Sequence, residues 1–277
     1  AAVASSALQW IAGISIISLA LILVNVALAV LVRWWARCSH PEIHTPSVVT
    51  GSVKAVSVDA PNVWQRLAFG LGWAFLGLTA LLILARPWYR AWGSTAIERA
   101  ESIPGQERDL EPRYRLDHAV TVHAPAERVW PWVAQIGQDR AGFYSYDWLE
   151  RAFGDNIVNA DSIVPAWQER SVGELVRATQ PNYMRGRFGR DLGWRVSHWD
   201  PPRVMVLRQW GAFSVRVIDD STSRVVVQTR GAGEYSLSTL LVAPFSFYIL
   251  EPAHFIMERG MLMGIKERAE RAVAARG

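Results

Sequence analysis

Two long uncharged stretches constrain this chain before anything else does. From Ile11 to Val32 there are 22 consecutive residues without a charged side chain, and from Leu67 to Ala85 there are 19, the second bounded by Arg66 and by Arg86-Pro87. At about 1.5 Å of rise per helical residue, such runs match the roughly 30 Å hydrocarbon thickness of a bilayer. Both are expected to be transmembrane helices. A cleaved signal peptide is the competing reading of the first run, but that run is longer than a typical signal core and no basic side chain precedes it. Trp10 and Trp34-Trp35 bracket the first run, and Trp64 and Trp88 the second, as amphipathic rings do at headgroup level. Asn25 in the first run and Gly70, Gly72 and Gly77 in the second are suited to packing against another helix.

Charge divides the chain at the same place. Residues 1–93 hold Arg33, Arg37, Lys54, Arg66, Arg86 and Arg90 against Glu42 and Asp59, which accounts for the whole formal charge of +4. The remainder is neutral. The basic excess therefore flanks apolar runs and forms no stripe on a folded domain, so a nucleic-acid partner is not expected despite a calculated pI near 9.5. Four basic side chains lie between the two runs and none precedes the first. That bias favours a cytoplasmic loop and places the carboxyl-terminal domain outside the cytoplasm, although Arg86, Arg90 and Arg99 pull the other way. The single cysteine, Cys38, excludes an internal disulfide framework. Cys38, His40 and His44 lie close in sequence, but Pro41 breaks their spacing and no fourth ligand is evident, so a polar loop is expected there and no metal.

Beyond a charged linker at 94–112, interrupted by Pro104-Gly105, residues 113–277 read as one α+β domain. Leu116 to His123 alternate as a strand, and Val129, Trp132, Val133 and Ile136 then fall on one helical face. Glu174–Ala178, Trp194–Trp199, Val204–Gln209, Phe213–Asp219 and Val225–Gly231 read as strands of one antiparallel sheet, separated by turns such as Asp200-Pro201-Pro202. The chain closes with a helical segment, Glu251–Ala274.

The strand ending in Ala124-Pro125, followed by Val129-Trp130-Pro131-Trp132 and by the run from Gln135 to Glu150, resembles the SRPBCC superfamily. Ile163-Val164-Pro165-Ala166-Trp167-Gln168, Val172-Gly173-Glu174 and the run from Glu258 to Glu270 extend the resemblance, and Arg86-Pro87-Trp88-Tyr89 resembles the membrane exit of two-span bacterial members. It covers about residues 86–272 and implies a helix-grip domain, an antiparallel sheet wrapped around a long carboxyl-terminal helix, preceded by a two-helix transmembrane hairpin. It also implies residence in a bacterial inner membrane and a cavity between sheet and helix that holds a hydrophobic ligand. Such a fold hosts many functions, so chemistry has to be argued from side chains.

Phe143, Trp148, Trp167, Met257, Met261 and Met263 are the candidate walls of that cavity, unless they simply fill a solid core. Asp139, Arg140, Tyr144, Tyr146 and Asp147 cluster after the first domain helix and are the candidate catalytic residues, with a structural Asp139/Arg140 pair as the bland reading. His118 and His123 lie on the first strand, pointing either outward or into the concave face of the sheet, whereas His198 and His254 stand alone and read as structural. Arg185, Arg187, Arg190 and Trp194 form a candidate docking surface, together with Asn25 in the membrane. No nucleophile triad, nucleotide loop or metal-spaced cluster appears, so nothing in the sequence demands an enzyme or a cofactor.

Three functions stay open. The first is a non-enzymatic accessory subunit whose domain docks on a larger integral-membrane complex, respiratory or photosynthetic. The second is a membrane-tethered binding module for a lipid, quinone, pigment or other hydrophobic molecule. The third is a cyclase- or hydrolase-like enzyme. Membrane lipids and integral-membrane proteins are the expected partners.

Overall fold

The computed structural model describes residues 63–106, 114–152, 158–186, 191–231 and 244–274. The chain divides into two compact units, residues 1–85 and 86–277. The expected first span, with Asn25 and the loop carrying Cys38, lies outside the described residues.

In the first unit the described residues belong to helix α1 (Val63–Arg90), whose final turn from Arg86 belongs to the second unit. Its stretch Arg66–Arg90 is the one helix among the described residues that is long and apolar enough to cross a membrane, with a mean hydropathy of 2.2. Leu71, Trp73, Leu81 and Leu84 are exposed on it, and Gly70, Gly72 and Gly77 face open space. The Thr79 hydroxyl donates back to the Phe75 carbonyl at 2.8 Å, which keeps it paired within the helix.

The second unit is an α+β fold. Its elements are α2 (Ala96–Ala100), β1 (Tyr114–Val122), α3 (Ala126–Ala134), α4 (Asp147–Ala152), β2 (Leu175–Arg177), β3 (Gly193–Asp200), β4 (Val204–Leu207), β5 (Gly211–Asp219), β6 (Thr222–Gly231) and α5 (Glu251–Ala274). Six antiparallel strands pair in the order β1-β6-β5-β4-β3-β2. The meander read from the turn signals thus runs β2 to β6, and the first strand closes the sheet beside the last. Helix α4 is an element not expected from the sequence.

Alternation decides which side chains enter the core. Val120, Val122, Met205, Leu207, Phe213, Val215, Val225 and Val227 project to one face, where α3 and α5 pack against them with Val129, Val133, Leu262 and Ile265. Each such aliphatic side chain contributes about 1.5–3 kcal/mol on full burial, so this face carries most of the hydrophobic stabilisation. The other face is also covered. Ile103 seals Val204, Val206 and Ala212 from water. Thr95 and Glu98 form a capping box that starts α2. Arg224 on β6 then holds both Glu98 carboxylate oxygens, at 2.7 and 3.0 Å. Gln228 donates to the Glu98 and Glu101 carbonyls. Residues 94–106, read as linker, are therefore a strap fixed across the back of the sheet.

Candidate functional site

On α5, positions 254, 258 and 261 follow helical spacing and share the face turned toward the sheet, where 258 and 261 are buried and 254 is partly exposed. They carry His254, Glu258 and Met261. A buried glutamate is costly unless its oxygens are fully paired, and Glu258, 2% exposed, is. Its Oε1 accepts from His118 Nδ1 at 2.7 Å. Its Oε2 accepts from His254 Nε2 at 2.7 Å, from Thr229 Oγ1 at 2.9 Å and from Trp210 Nε1 at 3.1 Å. His118 comes from β1, Thr229 from β6 and Trp210 from the turn between β4 and β5, so three parts of the sheet converge on one helical carboxylate.

The second ring nitrogen of His118, Nε2, lies 2.7 Å from the Tyr89 carbonyl, which can only accept. Both nitrogens of this fully buried ring therefore face acceptors, the environment of an imidazolium. Burial acts to lower the His118 ring, but the hydrogen bond and charge of Glu258 outweigh it and hold the ring above its ordinary 6.5. For Glu258, burial acts upward; the charge of His254, then the charge and hydrogen bond of His118, overcome it and hold the carboxyl well below its ordinary 4.5. The buried unit is an ion pair with extra neutral donors, which answers the desolvation cost of both charges.

A cavity of about 200 Å³ opens beside this network, lined by Phe143, Ser145, Ala178, Trp194, Trp210, His254, Met257, Glu258 and Met261. Trp194 and Trp210 pack with ring centroids 4.2 Å apart and planes tilted by 47°, and Phe143 meets Trp210 at 5.7 Å. Its walls are aromatic and sulfur-rich, and the His254–Glu258 pair sits among them, in contact with Trp210. Ser145 reaches the wall because two glycines let its segment rest directly on α5. A Cβ on Gly260 would stand 2.6 Å from Ser145 Oγ, and one on Gly264 would stand 2.1 Å from the Tyr144 carbonyl. The Ser145 hydroxyl donates to the Met257 carbonyl at 2.9 Å, so its proton serves packing.

The chain matches no protein-family model and no curated protein. Its function has to be read from this geometry.

The structure distributes the residues expected from sequence as follows. Phe143, Met257 and Met261 line the cavity, and so does Trp194, expected as a docking residue. Trp148 and Met263 are exposed, and Trp167 packs at the edge of the core. The five catalytic candidates have the following partners. Arg140 donates to the carbonyls of Trp167 and Glu169 and to Glu174 Oε1, at 2.6, 3.0 and 2.8 Å, closing a loop. Asp139 lies beside Gly137. Tyr144 is buried with φ 56°, its hydroxyl accepting from Gln135 at 2.9 Å. Tyr146 packs on Gly260 and on Trp148. Asp147 starts α4, accepting from the Trp148 amide at 3.1 Å and from Arg151 at 2.9 Å. Of the docking candidates, Arg185 is exposed in the turn Tyr183–Gly186, while Arg187, Arg190 and Asn25 lie outside the described residues. Among the described residues, no three His, Cys, Asp or Glu side chains are arranged to hold a metal ion.

Sequence reasoning missed Trp210, Thr229 and Glu258 and set His254 aside as structural; for His118 the inward of its two readings is the one the structure shows. One signal was present: His254 and Glu258, four apart on a helix beside Met257 and Met261, place a charge in an otherwise apolar stripe.

Proposed function

We propose that this protein is a membrane-tethered module that takes up a small hydrophobic molecule, or the end of a longer one, between its sheet and its final helix. The observation that carries this reading is the cavity itself: aromatic and methionine walls with a few polar groups among them, the usual character of a ligand site. Its volume is below the roughly 300–1,000 Å³ typical of sites for drug-sized ligands. A single ring or a short stretch of acyl chain fits that space, so a lipid or quinone would enter by one end only. Glu258 already accepts from four donors, which leaves Ser145 and the partly exposed His254 as the polar groups nearest an occupant.

The six-stranded sheet and its carboxyl-terminal helix support assigning the domain to the helix-grip group, the SRPBCC superfamily, that the sequence resembles. The apolar helix Arg66–Arg90 supports the membrane anchor. A second span at Ile11–Val32, and a domain outside the cytoplasm of a bacterial inner membrane, belong to the same reading and rest on the uncharged run and the loop arginines.

The test is direct. The full chain, purified in mild detergent and denatured in organic solvent, should release one small apolar species per chain, identified by mass spectrometry. Met257→Trp, which fills the cavity from a partly exposed wall position, should lose that species while keeping the fold. No retained molecule, together with no thermal shift from short-chain and single-ring probes, would overturn the proposal.

A docking role on a larger complex has one observation of its own, the open space beside Gly70, Gly72 and Gly77 on an exposed apolar helix. Crosslinking from Gly72→Cys in native membranes tests it. Capture of another integral-membrane chain supports this role, and lipid-only adducts oppose it.

A further inference from the structure

The turn leading into α5 places a group of large apolar side chains in an exposed position. Ser246–Leu250 forms a π-helical turn that runs straight into α5. Such widened turns alter the angular spacing of the side chains they carry. Phe247 is drawn inward, 3% exposed, with the Arg86 guanidinium 5.2 Å above its ring. With Phe247 fixed, Phe245, Ile249 and Leu250 project outward, and Ile256 continues their face one to two turns on. All four are between 45% and 53% exposed. From Tyr235 to Leu250 the sequence has no charged side chain. A soluble surface rarely carries such a patch without an occupant.

What covers it follows from its neighbours. The last turn of the apolar helix Arg66–Arg90 is fixed to this same segment. Arg86 donates to both Glu251 oxygens, at 3.1 and 3.0 Å, and Arg90 donates to them as well. Trp88, 62% exposed, meets Phe255 edge-on at 5.4 Å. The segment carrying the patch is therefore joined to the residues that end the apolar run, among them Trp88, a residue type suited to headgroup level.

We propose that Phe245, Ile249, Leu250 and Ile256 form a membrane-interface wedge, seated in the leaflet that α1 exits. The wedge adds a second, monotopic contact with the bilayer, in the manner of interfacial helices whose apolar face sinks about 5–10 Å into the headgroup and acyl boundary. Glu251 is paired with two arginines, so its own charge is compensated and the surplus positive charge suits the headgroup level. The inference rests on reading α1 as a membrane span, and the test separates the two claims.

In a Cys38→Ser background, Ile249→Cys, Leu76→Cys and Val217→Cys are each labelled with an environment-sensitive fluorophore. The full chains are reconstituted in phosphatidylcholine nanodiscs with and without brominated acyl chains. Leu76 lies in the middle of the span, and Val217 is exposed on β5. Loss of emission at positions 249 and 76, with none at 217, is expected. Loss at 76 alone overturns the wedge and leaves the anchor standing, the outcome if another protein covers the patch. No loss at 76 overturns the anchor, and the wedge with it.

Discussion

Two buried glutamates sit seven residues apart on one helix, and their partners differ in kind. Glu251 is held by Arg86 and Arg90. Glu258 is held by His118 and His254, with Trp210 and Thr229 completing its shell. Arginine stays charged at any pH a protein meets, so the first cluster is a permanent joint that fastens the last turn of α1 to the start of α5. A histidine charge is one that pH can remove, so the second can change its charge through His118, and Glu258 and His254 line the cavity. The same side chain on the same helix thus serves a fixed mechanical contact at one level and a variable charge at the other, with only the partner residue type deciding which.

The comparison is broken most forcefully at Glu258. Glu258→Leu leaves His118 facing the Tyr89 carbonyl on one side and no counter-charge on the other, and it strands the Trp210 and Thr229 donors. Removing one partner of a buried pair costs about 3–5 kcal/mol, and the upper half of that range is expected here, read as a fall in the thermal midpoint by circular dichroism. Glu251→Leu is expected at the lower end, about 3 kcal/mol, because Arg86 and Arg90 keep 13% and 10% side-chain exposure and can turn toward water or headgroups. Equal losses at the two sites would show that exposure of the partners does not matter.

The pH response sharpens the same contrast. The folded His118 ring sits above its ordinary 6.5, so its contribution is full below that value and is lost as pH rises through the raised folded value. The Glu258 carboxyl sits below its ordinary 4.5, so its contribution is present above that value and fades as pH falls toward the lowered one. Stability from this pair should therefore be greatest between about 4.5 and 6.5 and decline on the alkaline side. His118→Gln should flatten the alkaline decline in denaturant titrations. A decline that persists in that variant would assign it to another group. Trp210→Phe keeps the ring against Trp194 and removes one hydrogen bond to Glu258, an effect of about 1–2 kcal/mol.

The sheet was legible because its signal is local. Val204, Met205, Val206 and Leu207 between turn residues, and the alternation of Phe213, Val215 and Val217, announce strands whatever their neighbours are. The glutamate site was not, because its members meet only after folding: His118 lies 140 positions from Glu258, and Trp210 lies 48. No periodicity links them. The strap at 94–106 falls between these cases. Thr95 and Glu98, three apart, are a helix-start signal visible in the sequence, but the charges around them resemble a linker until Arg224 and Gln228 are seen to hold them.

The smallest effect concerns the residue that sequence reasoning placed among its catalytic candidates. Asp147 and Arg151 form a surface pair with 41% and 48% of their side chains exposed, and exposed pairs of this spacing contribute about 0.3–0.5 kcal/mol. Asp147→Asn keeps an oxygen for the Trp148 amide and loses only the ion pair, so the thermal midpoint should barely move. Retention of any molecule that copurifies in the cavity should also be unchanged, since Asp147 is not among the lining residues. A marked loss of retention at unchanged stability would shift the functional site from the Glu258 network to the loop before α4, and would reverse the comparison between the two glutamates as the place to look for function.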